Sequence, residues 1–139
     1  MDIRPYRDSD RAACLEVFDS LDGAVGRAEF EAFLKAPDGP YFVMEHEDRV
    51  AGCGGFAMAG DGQSARLRWG IIRRDLQRTG LGRFLLLYRM REIGRTGNAA
   101  FVVVQTPAGS ARFFELQGFR PGAADADRIE LVKKLAVCP

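Results

Sequence analysis

The segment Gln77-Arg78-Thr79-Gly80-Leu81-Gly82-Arg83 sets two glycines and two arginines between two differently patterned stretches. Before it, Arg66 to Ile72 is apolar and β-rich, and Arg73 to Arg78 is a polar link. After it, Arg83 to Ile93 carries apolar residues at helical spacing. The pattern reads as strand, glycine loop, helix. The first N–H groups of a helix have no partner within it, and the helix dipole adds partial positive charge there. Glycine lets a bulky anion come close to the backbone. The chemistry implied is an anion cradle fit for a phosphate or pyrophosphate, with Arg78 and Arg83 adding formal charge. A tight strand-to-helix turn is the plain structural alternative. Two common phosphate loops do not fit. The P-loop needs Gly-Lys-Ser or Gly-Lys-Thr where Gly82 is followed by Arg83-Phe84. The dinucleotide fingerprint needs a third glycine and an acid after the next strand, but Ala99 to Val104 ends in Gln105.

Gln77 to Gly82 resembles the acetyl-CoA signature Gln/Arg-x-x-Gly-x-Gly/Ala of the GCN5-related N-acetyltransferases (GNAT). A second block, Thr106 to Phe119, is similar to that family's Ala-x-x-Phe-Tyr-x-x-x-Gly-Phe segment. The resemblance implies a cofactor arm lying in a gap between the strand before the loop and the strand after the helix. Ile71, Ile72 and Arg73 would neighbour the arm, and the N–H groups of Gln77, Arg78, Thr79, Gly80, Leu81, Gly82 and Arg83 would hold the pyrophosphate. Phe114 would contact the arm from the last helix, and Ser110, in that helix's first turn, either contacts the arm or caps the helix. The implied activity is transfer of an acetyl group from acetyl-CoA to a primary amine of a small molecule or peptide, by direct attack on the thioester and without a metal. A non-catalytic acyl-CoA-binding sensor or regulatory module is the alternative.

The chain departs from the family at three places. Phe114 occupies the slot of an acidic tyrosine, Arg66 that of a glutamate base, and Ala108 that of an asparagine. A thiol of reference pKa about 8.5 leaves tolerably without an acid. A lysine-like amine of pKa about 10.4 costs roughly 4.6 kcal/mol to deprotonate at pH 7, an α-amino group near 8 only about 1.4 kcal/mol. A low-pKa acceptor amine, or a base from elsewhere, is therefore expected. Asp19, Asp22, Glu29 and Glu31 are candidates, although each also reads as a solvated helix-face charge. No residue is assigned a catalytic role. Trp69 reads as core before acceptor platform, and Tyr88 as packing or surface.

These residues need elements to position them. Asp2 to Tyr6 reads as a strand, and Ser9 or Asp8 as the cap of a helix with Ala12, Ala13, Leu15, Val17, Phe18 and Leu21 on its apolar side. A second helix runs from about Arg27 to Leu34. Tyr41 to Glu45, Val50 to Met58 and Ala65 to Ile72 form a meander, with Gly52, Gly54 and Gly55 pointing to a bulge or close approach in its middle strand. Gly97 stops the central helix. Ala99 to Val104 reads as a parallel strand buried on both faces. Pro107 to Leu116 is the last helix, with Pro107 in its first turn. Pro121 to Asp127 reads as loop and Arg128 to Leu135 as the closing strand. The expectation is a GNAT-like mixed α/β (α+β) sheet, order β-α-α-β-β-β-α-β-α-β-β, in one domain over 1–139.

The 139 residues are 47% hydrophobic and 28% charged with net charge +1, which gives no reason to expect nucleic-acid binding. No apolar run approaches the roughly 20 residues of a membrane span. Cys14, Cys53 and Cys138 are scattered and odd in number, so they read as reduced thiols of a cytoplasmic protein. Monomer and homodimer both stay open, since members of the family that the chain resembles often dimerise. The lone His46 reads as a solvated turn residue.

Overall fold

The computed structural model describes residues 2–125 and 127–135, so Cys138 lies outside the described residues. The elements run β1 (Asp2–Pro5), α1 (Arg11–Asp19), α2 (Arg27–Lys35), β2 (Tyr41–His46), β3 (Arg49–Met58), β4 (Ser64–Ile72), α3 (Leu81–Thr96), β5 (Phe101–Pro107), α4 (Ala111–Leu116), β6 (Arg120–Ala124) and β7 (Arg128–Lys134). This is the expected order. The seven strands form one sheet, β1-β2-β3-β4-β5-β7-β6, antiparallel except for β4 and β5.

Alternation along β2 shows how the sheet is covered. Tyr41 and Val43 pack with Cys14, Phe18, Phe30, Phe33 and Leu34 from α1 and α2. Phe42 packs with Leu86 and Ile93 of α3 and Ala111 of α4, and Met44 with Leu81 and Leu85 of α3. The two helix pairs therefore lie on opposite faces. The β2–β3 turn has Glu47 and Asp48 both at positive φ (53° and 64°), as a two-residue hairpin with right-handed twist requires.

The strand glycines do mark close approach. A Cβ on Gly55 would stand 2.2 Å from the carbonyl oxygen of Pro40, and one on Gly52 2.7 Å from that of Ile71. Bulges interrupt β2–β3 at Met44/Glu45 and β3–β4 at Cys53/Gly55. In the second, Ile71 and Arg68 of β4 face Cys53 and Gly55 of β3, and Trp69 takes φ +39°. Ala65 and Leu67 belong to the α3/α4 side, yet Trp69 and Ile71 belong to the α1/α2 side. An uninterrupted strand would keep all four on one face. The bulge reverses the alternation.

Four local readings are corrected. Asp10, not Ser9 or Asp8, ties down the start of α1: its carboxylate accepts from the Arg7 N–H at 2.8 Å and from both terminal nitrogens of Arg4 at 2.8 Å. β5 is not buried on both faces. Val102, Val104 and Thr106 are buried, while Phe101 and Val103 are half-buried and Gln105 is exposed. Pro107 ends β5, and a 3₁₀ turn over Ala108–Ser110 precedes α4. Arg120–Ala124, read mostly as loop, is the edge strand β6, where a proline without an N–H is tolerated.

The Arg4 guanidinium holds the Asp10 carboxyl below its usual range. A group whose folded pKa is lowered contributes stability that is complete above its unfolded value, about 3.9, and lost as pH falls through the folded value. Asp10→Asn is expected to lower unfolding free energy by about 2–3 kcal/mol at pH 7. Urea titration at pH 7 and pH 3 checks this, and the gap between the two proteins should narrow at pH 3.

Candidate functional site

β4 and β5 pair through only three positions, Ser64↔Phe101, Ala65↔Val102 and Arg66↔Val103. Beyond them β5 stays with β7 through Pro107, while β4 stays with β3 through Ile72. The sheet opens as a wedge whose β4 wall is Leu67 to Ile72. In a strand with one partner, alternate backbone groups point away from that partner, so this wall offers N–H and C=O groups to the gap.

The loop at the mouth of the wedge is tied at several points. Arg73 N–H donates to Ala51 O at 2.8 Å, and Asp75 takes contacts from Arg49 (2.9 Å) and Arg73 (3.3 Å). Arg74 pairs with Asp22, and its N–H donates to Ser20 Oγ at 3.1 Å. Gln77 sends its side-chain amide to Ile72 O at 3.1 Å, and its own N–H goes to Arg74 O at 3.3 Å. Thr79 Oγ1 donates to Leu76 O at 2.5 Å. Gly80 caps α3 at φ +90°, a conformation open to glycine and costly for other residues.

From Arg78 to Arg83, no backbone N–H finds an acceptor among the described residues. These six donors stand at a helix N-terminus, flanked by the exposed side chains of Arg78 and Arg83, neither of which meets a carboxylate among the described residues. Gly82 lies between β4 and α4: a Cβ there would stand 3.8 Å from Ile72 Cγ1 and from Phe113 Cε1 and Cζ. The donor set suits a diphosphate, and the gap beside it suits an extended arm carrying amides.

Of the residues singled out from sequence, Ile71 and Ile72 end β4, and Arg73 and 77–83 follow in the loop and the first turn of α3. Ile72 packs toward Leu81 and Leu85 of α3, and Ile71 toward α1 and α2. Ser110 is exposed before α4 and makes no side-chain cap bond. Phe114 stacks edge-on against Phe113 and Phe119 and belongs to the α3/α4 core. Phe113, one position earlier and packed against the same core, is the ring beside Gly82; it was not singled out from sequence.

On the α1/α2 side, Trp69 sits among Phe30 (5.0 Å between ring centroids), Phe18 and Phe33 (both 6.5 Å). Tyr41 Oη donates to Trp69 O at 2.8 Å and so secures the bulge. Burial pushes the Tyr41 phenol well above its usual value. Arg66 is exposed at the last β4–β5 pair. Arg68 lies over the Phe33 ring at 5.4 Å and reaches Asp38 at 3.3 Å. Asp19 and Glu31 meet Arg27, and Asp22 meets Arg74. Glu29 has no basic partner among the described residues, and its Oε2 lies 3.5 Å from where a Cβ on Gly26 would be, next to Trp69. No group of three or more metal-ligating side chains occurs among the described residues.

Sequence reasoning also passed over Arg89. Leu81, Leu85, Arg89 and Ile93 follow at i, i+4 along α3, and all four are buried. The stripe was visible in the sequence, but its arginine was not. Arg89 is 4% exposed, and Nη1 donates to Gly55 O at 3.3 Å. Its Nε has no partner and no carboxylate lies within ion-pair distance among the described residues. Burial lowers it to about 10, still protonated at neutral pH. An unpaired buried cation costs several kcal/mol.

A sequence profile of the Acetyltransferase (GNAT) family matches residues 7–119. No curated protein matches the chain. Among solved structures, the fold is similar to a GNAT-family protein from Desulfovibrio desulfuricans (TM-score 0.85, 20% identity, covering 97% of this chain and 99% of that one). It is also similar to the ribosomal-protein-S18-alanine N-acetyltransferase of Escherichia coli (TM-score 0.81, 18% identity, 99% and 96%). A third is yncA of Salmonella typhimurium, solved with acetyl-CoA (TM-score 0.74, 22% identity, 100% and 96%).

Two substitutions separate the roles of the loop glycines. Gly80→Ala forces a left-handed alanine and should cost about 1–2 kcal/mol. Gly82→Ala meets only ordinary contacts in a helical first turn and should be neutral or stabilising by up to about 1 kcal/mol. Urea denaturation of both variants checks the contrast.

Proposed function

This chain belongs to the Acetyltransferase (GNAT) family, and we propose that it transfers an acetyl group from acetyl-CoA to a primary amine of a small molecule or peptide. The observation that carries this reading is the wedge between β4 and β5 leading into six unpaired N–H groups beside Arg78 and Arg83. In it, Arg78 to Arg83 bind the donor's pyrophosphate, and the free backbone groups of β4 bind the amides of its arm. Bound there, the donor supplies an activated acetyl thioester. The two structures just cited that name a substrate or ligand, a ribosomal-protein alanine acetyltransferase and an acetyl-CoA complex, agree with an amine acceptor and this donor.

The chain's own acid–base groups are sparse. Phe114 has no proton to give and Arg66 cannot act as a base. Trp69 and the surrounding phenylalanines line the α1/α2 side of the bulge, where an acceptor would arrive, and Glu29, a carboxylate without a basic partner among the described residues, lies beside Trp69. The acceptor is therefore an amine that is substantially neutral near pH 7–8, with pKa near 8 rather than 10.4. The second reading, an acyl-CoA sensor without turnover, draws on the same two residues, Phe114 and Arg66.

Calorimetric titration with acetyl-CoA and with CoA should show binding to the wild type and to Gly82→Ala. Gly82→Trp, folded by circular dichroism, should bind at least about tenfold more weakly. No binding to the wild type would remove the acetyltransferase reading.

Release of CoA thiol in the presence of an amine panel distinguishes enzyme from sensor. For an active amine, kcat/KM should rise with pH along a limb set by that amine's own pKa, and Glu29→Gln should leave the limb in place. A limb near pH 6–7 that disappears in Glu29→Gln would make Glu29 the base instead.

A further inference from the structure

We propose that Arg89 is the cation that stabilises negative charge on the departing thiol sulfur, in the role left open by the absence of a phenol at Phe114. This deepens the function proposed above and rests on it.

The argument starts from the position of the guanidinium. A Cβ on Gly70 would stand 2.6 Å from Arg89 Nη2 and 3.0 Å from Nη1, and one on Gly54 would stand 3.3 Å from Nε. Arg89 therefore lies against bare backbone at two neighbouring glycines, one in each of two adjacent strands. Gly70 is exposed and lies in the part of β4 that has left β5. The guanidinium thus backs the β4 wall of the wedge, across a residue without a side chain. The alternation reversed at Trp69 is what turns Gly70 toward α3.

Its electrostatic surroundings leave the charge available. Tyr41 of β2 and Cys53 of β3, on the opposite side of the sheet, are the titratable groups whose charge would act on it. No carboxylate balances it among the described residues. A buried cation with a spare N–H and no counterion is matched by an anion that forms beside it in a low-dielectric site. Arg89 stands eight residues into α3, about 12 Å along the axis from the cradle. An arm held at the cradle and extended along β4 would run toward that level.

The step balances without a proton from Arg89. The amine nitrogen attacks the thioester carbonyl carbon, a C–N bond forms and the C–S bond breaks. Sulfur leaves with the electron pair as thiolate, and the ammonium proton passes to solvent or to that thiolate. Arg89 stays protonated throughout and acts through its field. It is a positioning and charge-stabilising residue, separated from the sulfur by the Gly70 backbone.

The test follows the thiol of bound CoA by its thiolate ultraviolet absorbance, as a difference against the complex with desulfo-CoA. In the wild type the bound thiol should titrate about one unit or more below free CoA. CoA, and not desulfo-CoA, should accordingly bind about tenfold more tightly above the free thiol's pKa than at pH 6–7. Arg89→Met should return the bound thiol to the free value, with Arg89→Lys between. A wild-type thiol at or above the free value overturns the proposal, and so does an unchanged depression in Arg89→Met. If Arg89→Met does not fold, the wild-type titration and Arg89→Lys decide. A wild type that binds neither CoA nor desulfo-CoA removes the acetyltransferase reading itself, an outcome distinct from binding with an unshifted thiol.

Discussion

A tryptophan held at φ +39° is the constraint on which the arrangement of the site depends. A bulky residue does not take that conformation freely, and holding it there costs on the order of 1–3 kcal/mol. The surroundings fix it from both faces. On one, Tyr41 donates to the Trp69 carbonyl and three phenylalanines surround the indole. On the other, Arg89 fills the space that Gly54 and Gly70 leave empty. The consequence is geometric. β4 turns away from β5 after Arg66, while β5 stays in register with β7 for its full length.

Charge is distributed unevenly around that gap. Net charge is only +1, and many arginines are matched: Arg4 with Asp10 and Glu45, Arg27 with Asp19, Arg49 and Arg73 with Asp75, Arg74 with Asp22. Arg78, Arg83 and Arg89 have no such partner among the described residues. Two stand at the mouth of the wedge and one behind its wall. Composition reports only the sum, so a near-neutral chain conceals a locally positive channel. The matched arginines serve a different purpose, since those on Asp75 and Asp22 hold the loop that carries the cradle.

Much of this was legible in the sequence. Glycine and proline punctuation with apolar periodicity supplied the order of elements, and Gly80-Leu81-Gly82 located the helix start. What escaped notice has physical reasons. Ala65, Leu67, Trp69 and Ile71 alternate as one face of an ordinary strand, and nothing local shows that a bulge moves the last two across the sheet. The glycines of β3 did announce a close approach, though the bulge shared with β4 left its positive φ on the other strand. Phe113 and Phe114 pack against the same core, and nothing in the sequence shows that it is Phe113 that lies beside Gly82. Arg120–Ala124 contains Pro-Gly and reads as loop, yet an edge strand accepts both. Arg89 lay in a buried stripe, but a charge within an amphipathic pattern is easily read as surface.

Phe114 and Arg66 weaken the case for turnover only if acid and base must be side chains at those two positions. For acyl transfer from a thioester, the leaving sulfur has a low proton affinity compared with an alkoxide or amide nitrogen, so what it needs most is charge stabilisation. A fixed cation supplies that at any pH where it stays protonated, whereas a phenol supplies it by giving up a proton. The attacking amine is different, because only its neutral form reacts. With no base at Arg66, the fraction of neutral amine is set by the acceptor's own chemistry, and selectivity moves from the enzyme's proton transfers to the substrate's pKa. A buried guanidinium close to the gap also disfavours a positively charged amine arriving there. In the reaction proposed for this chain, the same feature would ease departure of the sulfur and lower the pKa of an arriving amine, and both effects would favour reaction without a general base.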